Sequence, residues 1–255
     1  MTLVDYAFDR GCARVTLAQA DRGNPLDEQT IAALFDAVRR AHLEHARVIV
    51  IGARGRFFSV GGDLTAFAAA SDMPTYVDDL ADALHRLVSE LMRSPAVVIS
   101  AVQGAAAGAG FPLAAAADIV VAAESASFTL AYTRVGLSND GSSSLLGHTL
   151  GLHTVLRLAL LNDSLTAEEA RQRGLVARVA PDAELESTID ELVETLLAGS
   201  ASAFAAAKQL AREAAEPAPE SVMRREALAI RQQASVDAPE GVRAFLEKRP
   251  PRYAG

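Results

Sequence analysis

One stretch of the chain, residues 96–140, strongly limits what the protein can fold into. Its first part, AVVISAV, is rich in β-branched residues and predicts a buried strand. The glycine- and alanine-rich run 104–110 then predicts a tight turn, residues 113–117 favour a helix, and residues 119–123 predict a second strand. This order of elements predicts a βαβ crossover within a parallel sheet.

The start of the predicted helix, near Ala109, indicates a site for an anionic group. Glycines let the backbone approach a ligand closely, and the first N–H groups of a helix have no partner within the helix. The run lacks the lysine and hydroxyl of a phosphate loop, so the ligand stays unidentified at this point. Ser100, Pro112 and Asp118 interrupt the stretch before the roughly 20 apolar residues of a membrane span can accumulate.

Charge and cysteine content exclude several classes of protein. The 255 residues include 24 Lys+Arg and 32 Asp+Glu, which gives a net charge of -8 and argues against nucleic acid or an anionic membrane as the main partner. The single cysteine, Cys12, excludes an intrachain disulfide and indicates a reducing compartment. The N-terminal MTLVDYAFDR lacks a signal-peptide pattern, so we expect a cytoplasmic protein.

The histidines show no metal-binding spacing. His42, His45, His148 and His153 are not arranged with carboxylates or with Cys12 as ligands, so the sequence predicts no metal.

The order of predicted elements divides the chain into two parts. Residues 3–8 and 13–17 alternate as in a hairpin, a helix is predicted from the N-cap Asp27, and residues 48–51 predict a buried strand. Residues 80–92 follow as an amphipathic helix. Beyond Pro181 the patterns are helical only, at 185–198, 201–215, 219–235 and 239–248. We therefore expect an α/β core over residues 1–180 and a helical C-terminal part over residues 181–255.

A set of motifs gives the chain a family resemblance. FFSVGGDL, AVQGAAAGAGFPLAAAADIVVA, ASFTLAYTRVGL, TAEEARQRGLVARV and EGVRAFLEKRPPRY occur in this order over nearly the whole chain. The ordered set resembles the enoyl-CoA hydratase/isomerase (crotonase) superfamily. The resemblance implies a spiral of ββα units, with the C-terminal helices used for oligomerisation and active-site closure. It also implies homotrimers or hexamers and an acyl-CoA thioester substrate, with no cofactor apart from the coenzyme A of that substrate.

The resemblance also implies an oxyanion hole. Its two backbone N–H donors would belong to Val60, in the loop before the GGD sequence, and to Ala109. Removal of an α-proton from a thioester produces an enolate, and two fixed donors stabilise that charge where water is excluded.

The positions of the two hydratase glutamates are occupied by Pro112 and Tyr132, and neither residue can act as a base. Hydration needs an acid and a base on one water molecule, so an ordinary hydratase is disfavoured. The remaining acid is Asp140, in VGLSNDGSSS, which on sequence alone fits an Asx turn or helix cap equally well.

Two branches of the family resemble the Asp140 segment. In enoyl-CoA isomerases, including those of phenylacetate breakdown, a single aspartate moves the proton. In 4-chlorobenzoyl-CoA dehalogenases, an Asn-Asp pair supplies a nucleophile, and a histidine on the preceding helix supports hydrolysis. His85 lies on that helix but is predicted to be out of register, so we expect an isomerase. A hydratase, a dehalogenase-like enzyme and a catalytically silent acyl-CoA-binding protein are the alternatives.

Further residues are candidates for contact with the substrate. Tyr132, Phe111 and Pro112 are expected at the acyl pocket, although core packing accounts for Phe111 better and helix initiation for Pro112. The candidates for coenzyme A binding are Arg22, Asn24, Gly61, Asp63 and Lys248. Solvated charges explain Arg22 and Lys248 equally well.

Overall fold

A six-stranded sheet forms the centre of the fold in the computed structural model, which describes residues 2–215 and 218–253. The first two strands are antiparallel, and every later neighbour is parallel. With strands numbered in chain order, the order across the sheet is β1 (Val4–Asp9), β2 (Cys12–Leu17), β4 (Val48–Ala53), β7 (Val97–Val102), β9 (Ile119–Ala123) and β12 (Arg178–Ala180).

Two smaller sheets lie beside the central one. The four-stranded sheet has the order β11 (Ser164–Thr166), β10 (Ser127–Thr129), β8 (Ala105–Ala107) and β5 (Phe57–Ser59). The two-stranded sheet pairs β3 (Pro25–Leu26) with β6 (Gly61–Gly62) in parallel. These short strands are absent from the sequence predictions because two or three residues carry no readable alternation.

Twelve α-helices surround the sheets in the part of the chain that the structure describes. The first six are α1 (Glu28–Leu43), α2 (Leu64–Ala69), α3 (Met73–Met92), α4 (Gly110–Ala115), α5 (Ser142–Leu145) and α6 (Gly147–Leu150). The last six are α7 (Leu152–Leu161), α8 (Ala167–Gln172), α9 (Leu185–Ala198), α10 (Ala201–Ala215), α11 (Pro219–Ala234) and α12 (Ala238–Leu246). Short 3-10 helices span Ala20–Arg22, Tyr132–Val135 and Asp182–Glu184.

The predicted crossover is confirmed, since β7 and β9 are parallel neighbours and α4 lies between them in the chain. The predicted hairpin and the helix capped by Asp27 are also confirmed, and the Asp27 carboxylate accepts from the Thr30 N–H. Two predictions need correction. The run 104–110 contains strand β8 as well as a turn. Helix α3 begins at Met73 and not at residue 80, because the side chain of Asp72 caps its N-terminus.

The described chain beyond Ala180 forms helices and no further strand. Helix α9 packs on β4, β7 and β9 of the central sheet. Helix α11 packs against α3 and α5, and α12 packs against α2 and the 3-10 helix at 132–135. The last two helices therefore lie over the region that contains Asp140. Within residues 2–215 and 218–253, no helix is both long enough and apolar enough to cross a membrane.

Candidate active site

A cavity of about 290 Å³ lies between α3, α11 and the loops that follow β6, β8 and β10. Most of its lining is apolar, including Leu26, Phe67, Val77, Leu80, Leu84 and Ile230. The predicted site residues that line it are Val60, Ala109, Tyr132 and Asp140. Among the described lining residues, Asp140 is the one acid. The fold thus places a single carboxylate in an apolar enclosure, where charges are weakly screened.

Asp140 is paired with a histidine. Its side chain is only 4% exposed, and its Oδ1 accepts a hydrogen bond from His85 Nε2 at 2.7 Å. This contact corrects the expectation that His85 is out of register. Helix α3 presents Leu84 to the cavity, and the next residue, His85, contacts Asp140. A histidine within an apolar helix stripe was the signal in the sequence that could have identified the pair.

The pair holds a proton close to the cavity. Burial alone lowers the pKa of His85, but the hydrogen bond to Asp140 and the charges of Asp140, Glu226 and Asp82 outweigh burial, and the pKa is raised. The imidazole therefore favours its charged form more than a free histidine does, directly beside the carboxylate.

Tyr132 holds the backbone of the same segment. Its buried hydroxyl donates to the carbonyl oxygen of Asp140 at 3.1 Å. Burial raises the pKa of Tyr132 well above its usual value, and the charges of Asp140 and Glu226 raise it further. Tyr132 is consequently a neutral donor that lines the cavity and fixes the position of Asp140.

Of the two expected oxyanion donors, the N–H of Ala109 is free within the described chain and the N–H of Val60 is already hydrogen-bonded. The N–H of Ala109, the N-cap of α4, forms no hydrogen bond with any residue that the structure describes. The N–H of Val60, in contrast, donates to the carbonyl oxygen of Gly23 at 3.0 Å. The expectation of two free donors is thus corrected to one, because the loop before β3 supplies an acceptor that sequence patterns do not reveal.

Gly61 allows the strand β6 to approach the Ala109 N–H. Gly61 has a φ of +87°, and a Cβ atom there would lie 2.8 Å from the carbonyl oxygen of Ala107 and 3.1 Å from the Ala109 nitrogen. A larger residue would therefore crowd the free N–H of Ala109. The structure gives Gly61 this packing role at the edge of the cavity.

Phe111 and Pro112 lie outside the described lining of the cavity, which corrects their assignment to the acyl pocket. Phe111 is fully buried, and its ring centroid is 5.2 Å from that of Phe128. Pro112 packs against Gly141, where a Cβ atom would lie 2.6 Å from the Cβ of Pro112. Phe111 thus belongs to the core, and Pro112 supports the backbone directly after Asp140.

Three residues predicted to bind coenzyme A serve the fold. Arg22 pairs with Asp63 at 2.5 Å, and Asp63 also caps α2 by accepting from the Thr65 N–H. Asn24 is fully buried, and its amide donates to the carbonyl oxygens of Arg54 and Phe57, so its assignment is corrected. These contacts hold together the loop that carries Val60.

Lys248, the last of the five candidates for coenzyme A binding, is exposed just after α12. Phe245 of the same helix lines the cavity, so the lysine lies three residues from the cavity lining. Its assignment to coenzyme A remains a prediction.

Sequence reasoning missed a buried carboxylate near Asp140. Glu226 on α11 accepts from the Ser143 N–H and from the Ser144 hydroxyl, each at 2.7 Å. Burial and the charge of Asp140 raise its pKa, partly offset by these hydrogen bonds. The sequence signal was a lone glutamate at a position of α11 that otherwise faces the core, four residues before Ile230.

The geometry of the described residues defines an α/β protein in which one cavity contains a buried carboxylate and an unpaired backbone donor. Comparisons with known proteins identify its family and fold. A family model described as Enoyl-CoA hydratase/isomerase matches residues 7–255. A crystal structure of an enoyl-CoA hydratase from Mycobacterium avium subsp. paratuberculosis K-10 has a TM-score of 0.90 and 32% sequence identity, and covers 100% of this chain and 99% of that chain.

Two curated relatives also match almost end to end. A probable enoyl-CoA hydratase of Rhodobacter capsulatus is 36% identical over 255 residues, which is 99% of this chain and 98% of the relative. The 1,2-epoxyphenylacetyl-CoA isomerase of Escherichia coli is 33% identical over 257 residues, 97% of this chain and 96% of the relative. The chain therefore belongs to the enoyl-CoA hydratase/isomerase family of enzymes and has the crotonase fold.

Proposed function

We propose that the protein is an enoyl-CoA isomerase that shifts a carbon–carbon double bond in an acyl-CoA thioester. The observation that carries this proposal is the position of Asp140, the one acid among the described lining residues of an apolar cavity that also contains the free Ala109 N–H. Double-bond migration needs one carboxylate and one oxyanion donor. Relatives named as isomerases match at 31% and 33% identity and a probable hydratase at 36%, so the preference for an isomerase rests on the site and not on the relatives.

The reaction moves one proton within the acyl group. Asp140 removes a proton from the carbon next to the thioester carbonyl of a 3-enoyl-CoA, and the electron pair spreads into a dienolate. The Ala109 N–H donates to the enolate oxygen. The same carboxyl group then returns the proton two carbons further along, so no atom is gained or lost. The reaction needs no cofactor, since coenzyme A is part of the substrate.

His85 prepares Asp140 for this task. It occupies Oδ1, whereas Oδ2 is hydrogen-bonded by no residue in the described ranges and is the oxygen that can take the proton. The imidazole stabilises the carboxylate when the proton is on the substrate. Because the cavity is apolar, the proton is retained rather than exchanged with water.

A dehalogenase-like reaction is a second candidate, and the His85–Asp140 contact favours it. In this reaction Asp140 attacks a ring carbon of a halogenated aryl-CoA, the halide leaves, and water activated by His85 hydrolyses the aryl ester. Tyr132 adds an aromatic wall to the cavity. The isomerase remains the better reading because it uses the cavity without an added water site.

One set of assays separates the candidates. With a 3-enoyl-CoA, the isomerase produces the absorbance of a double bond conjugated with the thioester, and Asp140→Asn abolishes it. With a 2-enoyl-CoA, loss of that absorbance indicates hydration. With a 4-halobenzoyl-CoA, release of halide indicates the dehalogenase-like reaction. Acyl-CoA binding without any of these signals would identify a silent binder and overturn the proposal.

Lys248 can be tested as a contact to coenzyme A. If its ammonium group binds a phosphate of the cofactor moiety, Lys248→Ala raises KM and leaves kcat unchanged, because the contact is equal in the ground and transition states. Arg252→Ala, an exposed cation further along the chain, is the comparison. An unchanged KM in the lysine variant would exclude this role.

We also propose that the chain forms homotrimers or hexamers, and that helix α7, which precedes the C-terminal helical part 181–255, contributes to the subunit interface. Helix α7 exposes Leu152, Leu156 and Leu160 at a spacing of four residues, and they form an apolar stripe on one face. Light scattering should give a mass three or six times that of the chain. Leu156→Glu should lower that mass, whereas the control Leu43→Glu, at an exposed leucine of α1, should not.

A further inference from the structure

The carboxylate of Glu226 connects the C-terminal helix α11 to the segment that carries Asp140. Glu226 is only 7% exposed, and a buried carboxylate is costly unless both oxygens have partners. Oε1 accepts from the Ser143 N–H and Oε2 accepts from the Ser144 hydroxyl, each at 2.7 Å. Both donors belong to the first turn of α5, which begins two residues after Asp140.

The local backbone explains why such a partner is needed. The first N–H groups of α5 have no acceptor within the helix, and α5 has no side-chain cap. Gly141, which joins Asp140 to α5, has a φ of +70° and adds no side chain that could hold the turn. Glu226 supplies the missing acceptor from another part of the chain.

Asp140 is thereby held at three points by three different elements. His85 of α3 binds its carboxylate, Tyr132 binds its carbonyl oxygen, and Glu226 holds the turn that follows. The first two contacts fix the side chain and one peptide group. The third contact prevents the segment from rotating about Gly141.

We propose that Glu226 is a positioning residue, which fixes the backbone on the C-terminal side of Asp140 so that the catalytic carboxylate faces the acyl group. The inference rests on the proposed function, in which Asp140 carries the proton. It gives α11 a role in the reaction in addition to covering the cavity.

Glu226 also contributes charge to the site. The titratable groups that interact electrostatically with it are Asp140, Tyr132 and, from α3, His85. Its negative charge is one of the causes that raise the pKa of His85, after the hydrogen bond and charge of Asp140, against the lowering by burial. Removing the charge should therefore lower the pKa of His85, whereas removing an uncharged packing residue should not.

The test compares Glu226→Gln with a matched control on the same helix. Glu220 also accepts hydrogen bonds, from the Ser89 hydroxyl of α3 at 2.9 Å and from Nε of Arg93, the residue after α3, at 2.7 Å, and neither contact involves Asp140 or α5. We expect Glu226→Gln to reduce kcat by about 10- to 100-fold with KM changed by less than about twofold, as for a small misplacement of a catalytic group. Glu220→Gln should keep wild-type kcat.

A second measurement does not depend on turnover. The pKa of His85, followed by NMR of labelled imidazole, should fall in Glu226→Gln and stay unchanged in Glu220→Gln. If Glu226→Gln lowers the melting temperature but leaves both kcat and the pKa of His85 unchanged, the glutamate is only structural and the inference is wrong.

Two further variants keep the test decisive. If Glu226→Gln does not fold, Ser144→Ala removes one of the two hydrogen bonds, and kcat should fall with KM unchanged; an unchanged kcat would contradict the inference. Asp140→Asn is measured in parallel. Wild-type turnover in Asp140→Asn overturns the proposed function itself, whereas loss of turnover there with normal turnover in Glu226→Gln overturns only the positioning role.

Discussion

His85 Nε2 lies 2.7 Å from Asp140 Oδ1, although the two residues are 55 positions apart in the chain. Helix α3 delivers the imidazole, and the loop before α5 delivers the carboxylate. Both are buried next to an apolar cavity, and the carboxylate of Asp140 contributes to the raised pKa of His85. This pair is the basis of the first two predictions.

Asp140→Asn should abolish most of the turnover. The amide keeps the shape of the side chain but cannot accept a proton, so kcat should fall by about 10²- to 10⁴-fold while acyl-CoA still binds. Steady-state kinetics and calorimetric titration with a non-reactive acyl-CoA measure the two effects. Asp79→Asn, at an exposed aspartate of α3, is the control and should behave as wild type.

The stability contributed by His85 should depend on pH. Its pKa is raised in the folded protein above the ordinary value of 6.5, because the partners of the imidazole outweigh burial. The protonated pair therefore stabilises the fold fully below about pH 6.5, and this contribution is lost as the pH rises through the folded pKa. Urea unfolding of wild type and His85→Gln across this range should show the difference in free energy of unfolding shrinking towards alkaline pH. A difference that grows with pH would contradict the raised pKa.

Gly61→Ala should impair turnover by crowding the Ala109 N–H. The new Cβ atom would lie 3.1 Å from that nitrogen, and loss of one oxyanion donor costs about 10²- to 10³-fold in kcat. Gly174→Ala is a matched control, because Gly174 has a φ of +83° but no atom within 4 Å of the added Cβ. Both variants should lose about 1–2 kcal/mol of stability from the left-handed backbone. Gly61→Ala should lose more than that, because its Cβ atom would also lie 2.8 Å from the Ala107 carbonyl oxygen. Only the first should lose kcat, and equal kcat in the two would exclude the donor role.

Substitutions of Phe111 and Tyr132 should differ in their effects, because the first should change mainly stability and the second should also change kcat. Phe111→Ala removes a fully buried ring and should lower the free energy of unfolding by about 3–5 kcal/mol. Tyr132→Phe keeps the ring but leaves the Asp140 carbonyl without its donor, which should cost about 1–3 kcal/mol and reduce kcat. Denaturant unfolding and kinetics at a temperature where both variants are folded provide the check. Higher KM with normal stability in Phe111→Ala would return Phe111 to the acyl pocket.

The strands and helices of the core could be predicted from the sequence because each is indicated by residues that are close together in the chain. The β-branched runs of β4 and β7, the cap at Asp27 and the spacing of α9 each lie within a single window of residues. The placement of Asp140 at the cavity was likewise predicted, through the family resemblance of its segment.

The remaining parts of the site depend on contacts between distant segments. Whether His85 faces Asp140 depends on the rotation of α3, which is set by its packing against α1 and α11. The engagement of the Val60 N–H depends on one carbonyl group, that of Gly23. Asparagine is a residue type typical of surface turns, yet Asn24 is buried because its amide donates hydrogen bonds to two backbone carbonyl groups. No local pattern contains this information.

The dependence of the cavity on α11 and α12 has a consequence during protein synthesis. Ile230 and Phe245 line the cavity, and both leave the ribosome after every strand of the central sheet. The sheet strands up to β12 are available earlier, so the nascent chain can assemble its core while the apolar face of α3 is still open to water. The lining of the cavity is thus completed only after α11 and α12 have been synthesised, and a chain terminated before them would lack Ile230 and Phe245.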